Sequence, residues 1–256
     1  MSKLLPSNFD ELVADAVLQF WTGRISTAIQ SQAGGRGPVI SGKNLNAFAN
    51  LILAIGRYVG FSDKEIIVAS KGKQVIPGYF RATKEWDALV VYEGHLLAAF
   101  ELKSQVGSFG NNGNNRAEEV LGSATDFWTA HREKGFEART ISKKCGALFE
   151  TRESKPPFLG FLMLLEDCAK SAGKVKVKEP HFKVRPEFVE ASYAKRFEIL
   201  LERMVAEQLY SSTCLLLSPR DKGAADGSYS FPKDTLSPRS FFADFAAKLL
   251  AAKETY

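Results

Sequence analysis

Trp86-Asp-Ala-Leu-Val-Val-Tyr92 and Leu96-Leu-Ala-Ala-Phe-Glu-Leu-Lys103, separated by Glu93-Gly94-His95, decide how this chain folds. Two short apolar runs around a glycine-bearing turn read as an antiparallel hairpin. Residues two apart on a strand share a face, so Glu101 and Lys103 project together while Leu102 points into the core. The parity of the loop then decides where Asp87 falls. A two-residue loop pairing Tyr92 with His95 sets Asp87 opposite Phe100 and leaves Glu101 on the other face. A three-residue loop, Tyr92-Glu93-Gly94 with Gly94 in the left-handed position of a bulged turn, places Asp87 on the face of Glu101. The odd-length loop is the expectation.

Outward from the hairpin, the pattern alternates between helix and strand. Leu12, Val13, Ala16, Phe20, Ile25 and Ile29 recur at helical spacing over about Phe9 to Gln30, behind a cap at Ser7 or Asn8. A second amphipathic helix runs from about Asn44 to Tyr58 and stops at Gly60. Glu65 to Ser70 reads as a short strand and Lys71-Gly72-Lys73 as a turn. After the hairpin, a Gly- and Asn-rich loop (Gly107 to Asn115) leads to a helix over about Arg116 to Lys134, with Val120, Leu121, Ala124, Phe127 and Trp128 as its apolar stripe. Phe158 to Leu165 is nearly all apolar, as a central strand buried on both faces should be. A basic, irregular stretch (Lys170 to Arg185), a helix (about Ala191 to Tyr210), a strand (Cys214 to Leu217) and a last helix (Phe241 to Ala252) complete the order. The expectation is α/β: one domain over residues 1–256, with a mixed central sheet flanked by helices. N-terminal helices occupy 8–60, a core about 64–218, and a C-terminal helical tail 219–256.

Composition narrows the class. With 45% hydrophobic and 25% charged residues the chain matches soluble globular averages, which excludes disorder and collagen. No apolar run reaches the roughly 18–20 residues of a membrane span, and the N-terminus lacks the apolar stretch of a secretory signal. Three cysteines, Cys145, Cys168 and Cys214, none in a CxxC pair, fit neither a disulfide scaffold nor a cysteine-rich zinc site. The formal charge of +5 permits an anionic partner without requiring one. A cytoplasmic protein is expected.

Three segments could carry chemistry. Gly37-Pro-Val-Ile-Ser-Gly42-Lys43-Asn44 nearly fits a phosphate-binding loop, but Asn44 lacks the hydroxyl that ligates Mg²⁺ and Pro38 removes an amide from the cradle. An ordinary loop before a helix accounts for it better, although Leu162-Met-Leu-Leu-Glu-Asp167 resembles the acidic strand end of such nucleotidases. The hairpin is the second candidate. Two carboxylates on neighbouring strands make a hard oxygen site for Mg²⁺, and so close a pair repels without a cation. Lys103, aimed at the same spot, can position a water and stabilise charge developing on phosphorus, which suits metal-dependent phosphodiester hydrolysis. The plainer reading of Glu101 and Lys103 is an ion pair at a strand end, worth about 0.2–1 kcal/mol. A second such triplet, Glu153-Ser-Lys155, precedes Pro156-Pro157 without a strand pattern and is set aside. The third candidate is the basic stretch with Lys170, Lys174, Lys176, Lys178, Lys183 and Arg185. Alone it reads as a solvated loop; beside a phosphodiester site, Lys174, Lys176 and Lys183 become DNA contacts. Asn114 and Asn115 can likewise read base edges, and Arg116 can meet phosphate.

Assembled, these residues resemble a known family. Pro77-Gly-Tyr-Phe-Arg81, Thr83-Lys84, Trp86-Asp87, Phe100-Glu-Leu-Lys-Ser104, Ser108-Phe-Gly-Asn-Asn112 and Asn114-Asn-Arg-Ala-Glu-Glu119 are similar to the XhoI family of type II restriction endonucleases. So are Glu166-Asp-Cys168, Pro180-His-Phe182 and Ala191-Ser-Tyr193. The likeness covers about Phe20 to Leu201 and is most specific between Glu101 and Glu119. It implies the PD-(D/E)xK nuclease core, with Asp87, Glu101 and Lys103 at the catalytic signature and Trp86 where the signature has proline. It further implies Asp87 and Glu101 as ligands of Mg²⁺, and a homodimer cutting both strands of double-stranded DNA. The implied target is CTCGAG, cut after its first base to leave 5′-phosphates, in a bacterial cell that also holds a cognate DNA methyltransferase. A repair or structure-specific nuclease of the same fold, or a non-catalytic DNA-binding protein, are the alternatives.

Overall fold

A computed structural model describes residues 3–32, 45–68, 74–136, 155–179 and 181–256 of the chain. Gly37–Asn44, Lys71-Gly72-Lys73 and Glu153 of the second triplet lie outside the described residues.

The apolar run at 158 forms β6 (Phe158–Glu166), with all nine residues buried. A strand can be apolar on both faces only where both faces are covered, and the sheet order shows why this one is. Five strands line up as β1 (Ile66–Val68), β4 (Ala88–Tyr92), β5 (His95–Gln105), β6 and β7 (Ser212–Ser218). β1, β4 and β5 pair antiparallel, while β5, β6 and β7 run parallel. The sheet is therefore mixed. Helix α3 (Phe109–Arg132) connects β5 to β6, and α5 (Tyr193–Ala206) precedes β7. Their apolar stripes, including Val120, Phe127, Phe197 and Leu201, pack on one face against Leu159, Phe161 and Met163. On the other face α1 (Phe9–Gln32), α2 (Asn46–Tyr58) and α7 (Pro238–Lys253) pack against Phe100, Leu162 and Leu164. The C-terminal residues expected as a tail thus supply core: Phe241, Phe242 and Phe245 are fully buried, and Phe245 meets Phe100 edge to face at 4.8 Å. Ile25, expected on the apolar stripe of α1, is 40% exposed. No helix among the described residues is long and apolar enough to cross a membrane.

Gly160 lies where that packing leaves no room for a side chain. A Cβ there would lie 2.7 Å from the Phe100 ring and 2.8 Å from that of Phe158. Gly160→Ala is expected to lower unfolding free energy by about 1–3 kcal/mol through overpacking, read as a shifted urea midpoint at unchanged slope.

Two local expectations are corrected. The Gly107–Asn115 loop is helical: α3 starts at Phe109, so Asn114, Asn115 and Arg116 lie on its second turn. Asn and Gly disfavour helix, but Phe109 is 4% exposed and anchors this turn in the core, and the chain enters it through a sharp bend with Gly107 and Ser108 both at positive φ. The hairpin loop is not odd. Tyr92 pairs with His95, leaving Glu93 (φ 49°) and Gly94 (φ 80°) as a two-residue turn of the primed kind that matches strand twist. An extra residue enters instead as a β-bulge: Val90 pairs with Ala98 but Val91 with Leu96. Leu97 is the additional residue, and it lies with Ala98 in the same core layer. The face of every later residue is thereby exchanged, as one inserted residue must do.

Candidate active site

The bulge determines the site. Ala88 pairs with Phe100, so one step further along the two strands Asp87 stands opposite Glu101. The odd count expected of the turn is supplied inside the strand. The Leu102 amide donates to Asp87 Oδ2 at 2.7 Å and fixes the carboxylate across the pair. Two residues on from Glu101, Lys103 forms an ion pair with Glu101 Oε1.

A residue outside the expected set completes this cluster. Lys84 Nζ lies 2.7 Å from Glu101 Oε2 and 4.6 Å from the centre of the Trp86 ring. It comes from a two-stranded ribbon of β2 (Val75–Pro77) and β3 (Thr83–Glu85), which reading the main hairpin alone does not reveal. The available signal is Pro77-Gly78 followed by Thr83-Lys84, a turn between two short strands. Glu101 thus has a cation on each oxygen while being only 4% exposed.

Electrostatics separates the two carboxyl groups. Burial and the Glu101 charge push the Asp87 carboxyl up to about 6, against the opposing pull of the Leu102 amide and the two lysines. Burial also works against ionised Glu101, but Lys103 and Lys84 outweigh it and hold its carboxyl below the usual range. Burial disfavours the Lys103 ammonium, and Glu101 outweighs that too, so its proton is held more tightly than normal. At neutral pH Asp87 and Glu101 are carboxylates and Lys103 stays protonated.

Asp87 and Lys103 line a cavity of about 440 Å³ together with Ser104, Asn112, Arg116 and Arg24. Arg116 is tethered by Glu119 at 2.6 Å and its Nε is buried without a hydrogen-bond partner. Arg24, from α1, was not anticipated; its position 63 residues before Asp87 gives no local signal. The neighbouring Glu166 has a structural task, accepting from the Gly107 amide at 3.0 Å and from Arg220 Nε at 3.1 Å. That removes one half of the likeness to nucleotidases.

The structure does not bring the other expected DNA contacts into this cavity. Asn115 is exposed on α3, and Asn114 borders a separate apolar groove between α3 and α5. Residues 174–178 form an extended chain in which Lys174, Lys176 and Lys178 are exposed and Val175 and Val177 half-buried. That is the two-residue alternation of a strand-like segment, held by Arg196 donating to the Val175 carbonyl at 3.1 Å. Lys174 pairs with Glu190 at 2.7 Å, and Lys183 is exposed beyond it.

Whether Asp87 and Glu101 suit a metal follows from their chemistry. They offer hard oxygen donors, Asp87 at the edge of the cavity and Glu101 on the same face of the neighbouring strand. Burial and the Glu101 charge raise the Asp87 carboxyl, and a divalent cation beside it would offset both. Glu101 Oε2, despite the nearby lysine, is buried without a well-aligned hydrogen bond. The donors fit Mg²⁺. Among the described residues no group of three or more His, Cys, Asp or Glu side chains could hold an ion, so the remaining positions would fall to water, backbone and substrate, as Mg²⁺ commonly accepts.

Comparison with known proteins shows the family. The model of the restriction endonuclease XhoI family matches residues 25–231. The chain is 49% identical over 209 residues to the type II restriction enzyme BstVI of Geobacillus stearothermophilus, covering 79% of this chain and 85% of that one. It is 40% identical over 235 residues to the type II restriction enzyme XhoI of Xanthomonas vasicola, covering 89% and 88%. With the type II restriction enzyme AbrI of Azospirillum brasilense it shares 37% identity over 183 residues, 69% of this chain and 75% of the relative. No solved structure matches. A mixed sheet that sets Asp87 and Lys103 at one cavity and pairs Lys103 with Glu101, together with a family match spanning all three, places the chain in the XhoI family of restriction endonucleases.

Proposed function

We propose that this restriction endonuclease hydrolyses both strands of double-stranded DNA at a short palindrome, with Mg²⁺ held by Asp87 and Glu101 and with Lys103 as the third catalytic residue. The observation carrying this reading is the bulge at Leu97, which turns Asp87 and Glu101 to a common face beside Lys103. Mg²⁺ bound there would polarise a phosphoryl oxygen and make the attacking water more acidic. Lys103 stays an ammonium, so it acts as a donor that orients the attacking water and stabilises charge on the phosphate rather than as a base. Glu101 aims that ammonium, and Lys84 shares the Glu101 charge from the other side. Arg24 and Arg116, at the cavity edge, hold the DNA backbone as phosphate partners.

The target we propose is CTCGAG, cut after its first base to leave 5′-phosphates; the family likeness supports it. A palindrome has two-fold symmetry, so a homodimer presenting one cavity to each strand matches it. A bacterial cytoplasm containing such an enzyme needs its own sites protected, which calls for a methyltransferase of the same specificity. Incubating the protein and Mg²⁺ with sequenced plasmid and mapping the ends tests the reaction and its target. Discrete fragments ending at CTCGAG are expected. Discrete ends elsewhere replace the target, ends at branched or damaged DNA replace the reaction class, and binding without cleavage removes catalysis.

Lys174, Lys176 and Lys183 extend the proposed contact to flanking phosphates. Lys174→Ala combined with Lys176→Ala should weaken binding to any sequence alike, and the slope of log K against log salt should flatten by about 0.9 per lost phosphate contact. An unchanged slope returns both lysines to the solvated surface.

A further inference from the structure

The β2–β3 ribbon presents two aromatic rings to solvent on a fixed backbone. Its tip, Gly78 to Ala82, carries Tyr79 at 53% exposure and Phe80 at 69%, with the rings edge to face at 4.9 Å. The backbone beneath them is pinned from below by Asp126 of α3, itself 2% exposed. Asp126 Oδ1 accepts from the Tyr79 amide at 2.9 Å and the Phe80 amide at 2.8 Å, while Oδ2 takes Arg81 Nε at 2.9 Å. Gly78 lets the turn close over that carboxylate: a Cβ there would lie 2.6 Å from the Arg81 carbonyl oxygen and 2.7 Å from Asp126 Oδ2. A buried carboxylate is expensive unless fully partnered. Here it is fully partnered, and what it orders is a pair of rings left in water. Rigid exposed aromatic surface is the property of a contact element rather than of a loop that merely connects strands.

The partner follows from position and charge. The strand leaving this tip delivers Lys84 to Glu101, and Phe80 is four residues from Lys84, so their Cα atoms are at most about 14 Å apart. The segment from Pro77 to Lys84 contains Arg81 and Lys84 and no acidic residue. Lys84 is engaged by Glu101, but Arg81 is held by Asp126 through Nε and stays 44% exposed. Beside rings that bases can stack on, it leaves a guanidinium open to phosphate.

We propose that Phe80, backed by Tyr79, stacks against the bases of bound DNA next to the cleaved phosphate and opens one base step there. The inference rests on reading Asp87, Glu101 and Lys103 as a nuclease centre. An apolar wedge of this kind unstacks DNA locally and helps bring a phosphate into a recessed site.

The test is a duplex carrying 2-aminopurine at successive positions across and beside the cleavage site, titrated with the full chain with Ca²⁺ replacing Mg²⁺. A severalfold rise in fluorescence is expected at one or two positions, lost with Phe80→Ala and kept with Phe80→Tyr. Affinity should fall about tenfold or more in Phe80→Ala, as for one lost base stack, with thermal unfolding unchanged because the ring is exposed. No rise at any position, or an equal rise with Phe80→Ala, overturns the proposal. So does a shift of Phe80→Ala from dimer to monomer in sedimentation, which would assign the rings to a second copy of the chain. If the parental protein with Mg²⁺ yields no discrete fragments, the nuclease reading fails instead, and the aminopurine signal still decides the stacking separately.

Discussion

Asp87→Asn is expected to abolish cleavage and, at the same time, to stabilise the metal-free protein at pH 8. The loss of activity follows from removing one of two carboxylates that would hold the ion; a contribution of several kcal/mol to the transition state corresponds to a rate loss on the order of 10³- to 10⁴-fold. The gain in stability follows from the Asp87 carboxyl lying at about 6, above the ordinary aspartate value of 3.8. A carboxyl raised on folding binds its proton more tightly in the native state than in the unfolded one. Stability is therefore greatest below about pH 4 in respect of this group, falls as pH rises through 4 to 6, and stays reduced above that. The penalty at pH 8 is about 3 kcal/mol for a shift of this size. Asparagine carries no charge and can still accept from the Leu102 amide, so most of that penalty disappears. For a chain of this length the unfolding temperature should rise by roughly 4–8 °C. At pH 4 the difference should vanish, because parental Asp87 is then protonated as well. Mg²⁺ should stabilise the parental protein and leave Asp87→Asn almost unmoved. Scanning calorimetry of both proteins at the two pH values, with and without Mg²⁺, checks each arm. An Asp87→Asn protein that melts lower at pH 8, or that cuts near the parental rate, would refute the assignment.

The same residues show how far the sequence can be read. The order of helices and strands was legible because hydrophobic period is a local property: the Phe158–Glu166 run, the stripe of α3 and the two hairpin strands each announce themselves. Which face Asp87 and Glu101 share was legible only through the chemistry that needs them together. The device that achieves it was not, because a bulge at Leu97 leaves the apolar run Leu96-Leu-Ala-Ala-Phe100 unbroken. Glu93-Gly94 gives a tight even turn and Leu97 reverses the parity, so two local features combine to the result expected of one. The start of α3 was hidden for another reason. Asn and Gly from 110 to 115 state their intrinsic preference for turns, and the burial of Phe109 overrides it. Lys84, Arg24 and the lysines at 174 and 176 mark the limit of local reading. The first two reach the Asp87–Glu101–Lys103 cluster or its cavity from separate elements, whereas the lysines form a solvent-facing row that does not line it. Only the tertiary fold separates these cases.

The double substitution of Lys84→Met and Lys103→Met should destabilise the metal-free protein by more than the sum of its two parts. Glu101 is buried, and each of its oxygens has one lysine. Removing either cation leaves the other to balance the charge, at a loss of about 1 kcal/mol. Removing both leaves a buried carboxylate alone, a change that typically lowers stability by about 3–5 kcal/mol. The excess over additivity, on the order of 1–3 kcal/mol, is the coupling expected of groups sharing one partner. Its pH dependence has a defined sign. In the parental protein the lysines hold Glu101 below its usual range, so its contribution to stability is present above about 4.5 and is lost as pH falls through the lowered value. Without them only burial acts, the carboxyl rises, and ionisation becomes a penalty. The gap between parental and double variant must therefore widen with rising pH and narrow in acid. Urea unfolding at pH 4 and pH 8 in the absence of divalent ions measures it. Cleavage separates the two lysines: Lys103→Met, which removes the ammonium at the cavity, should lose on the order of 10²- to 10³-fold. Lys84→Met should lose less, because Lys84 acts through Glu101 and does not line that cavity. Additive stabilities at pH 8 would show that Glu101 is neutral there or draws its charge balance from elsewhere, and would remove the two-lysine clamp from the account of the site.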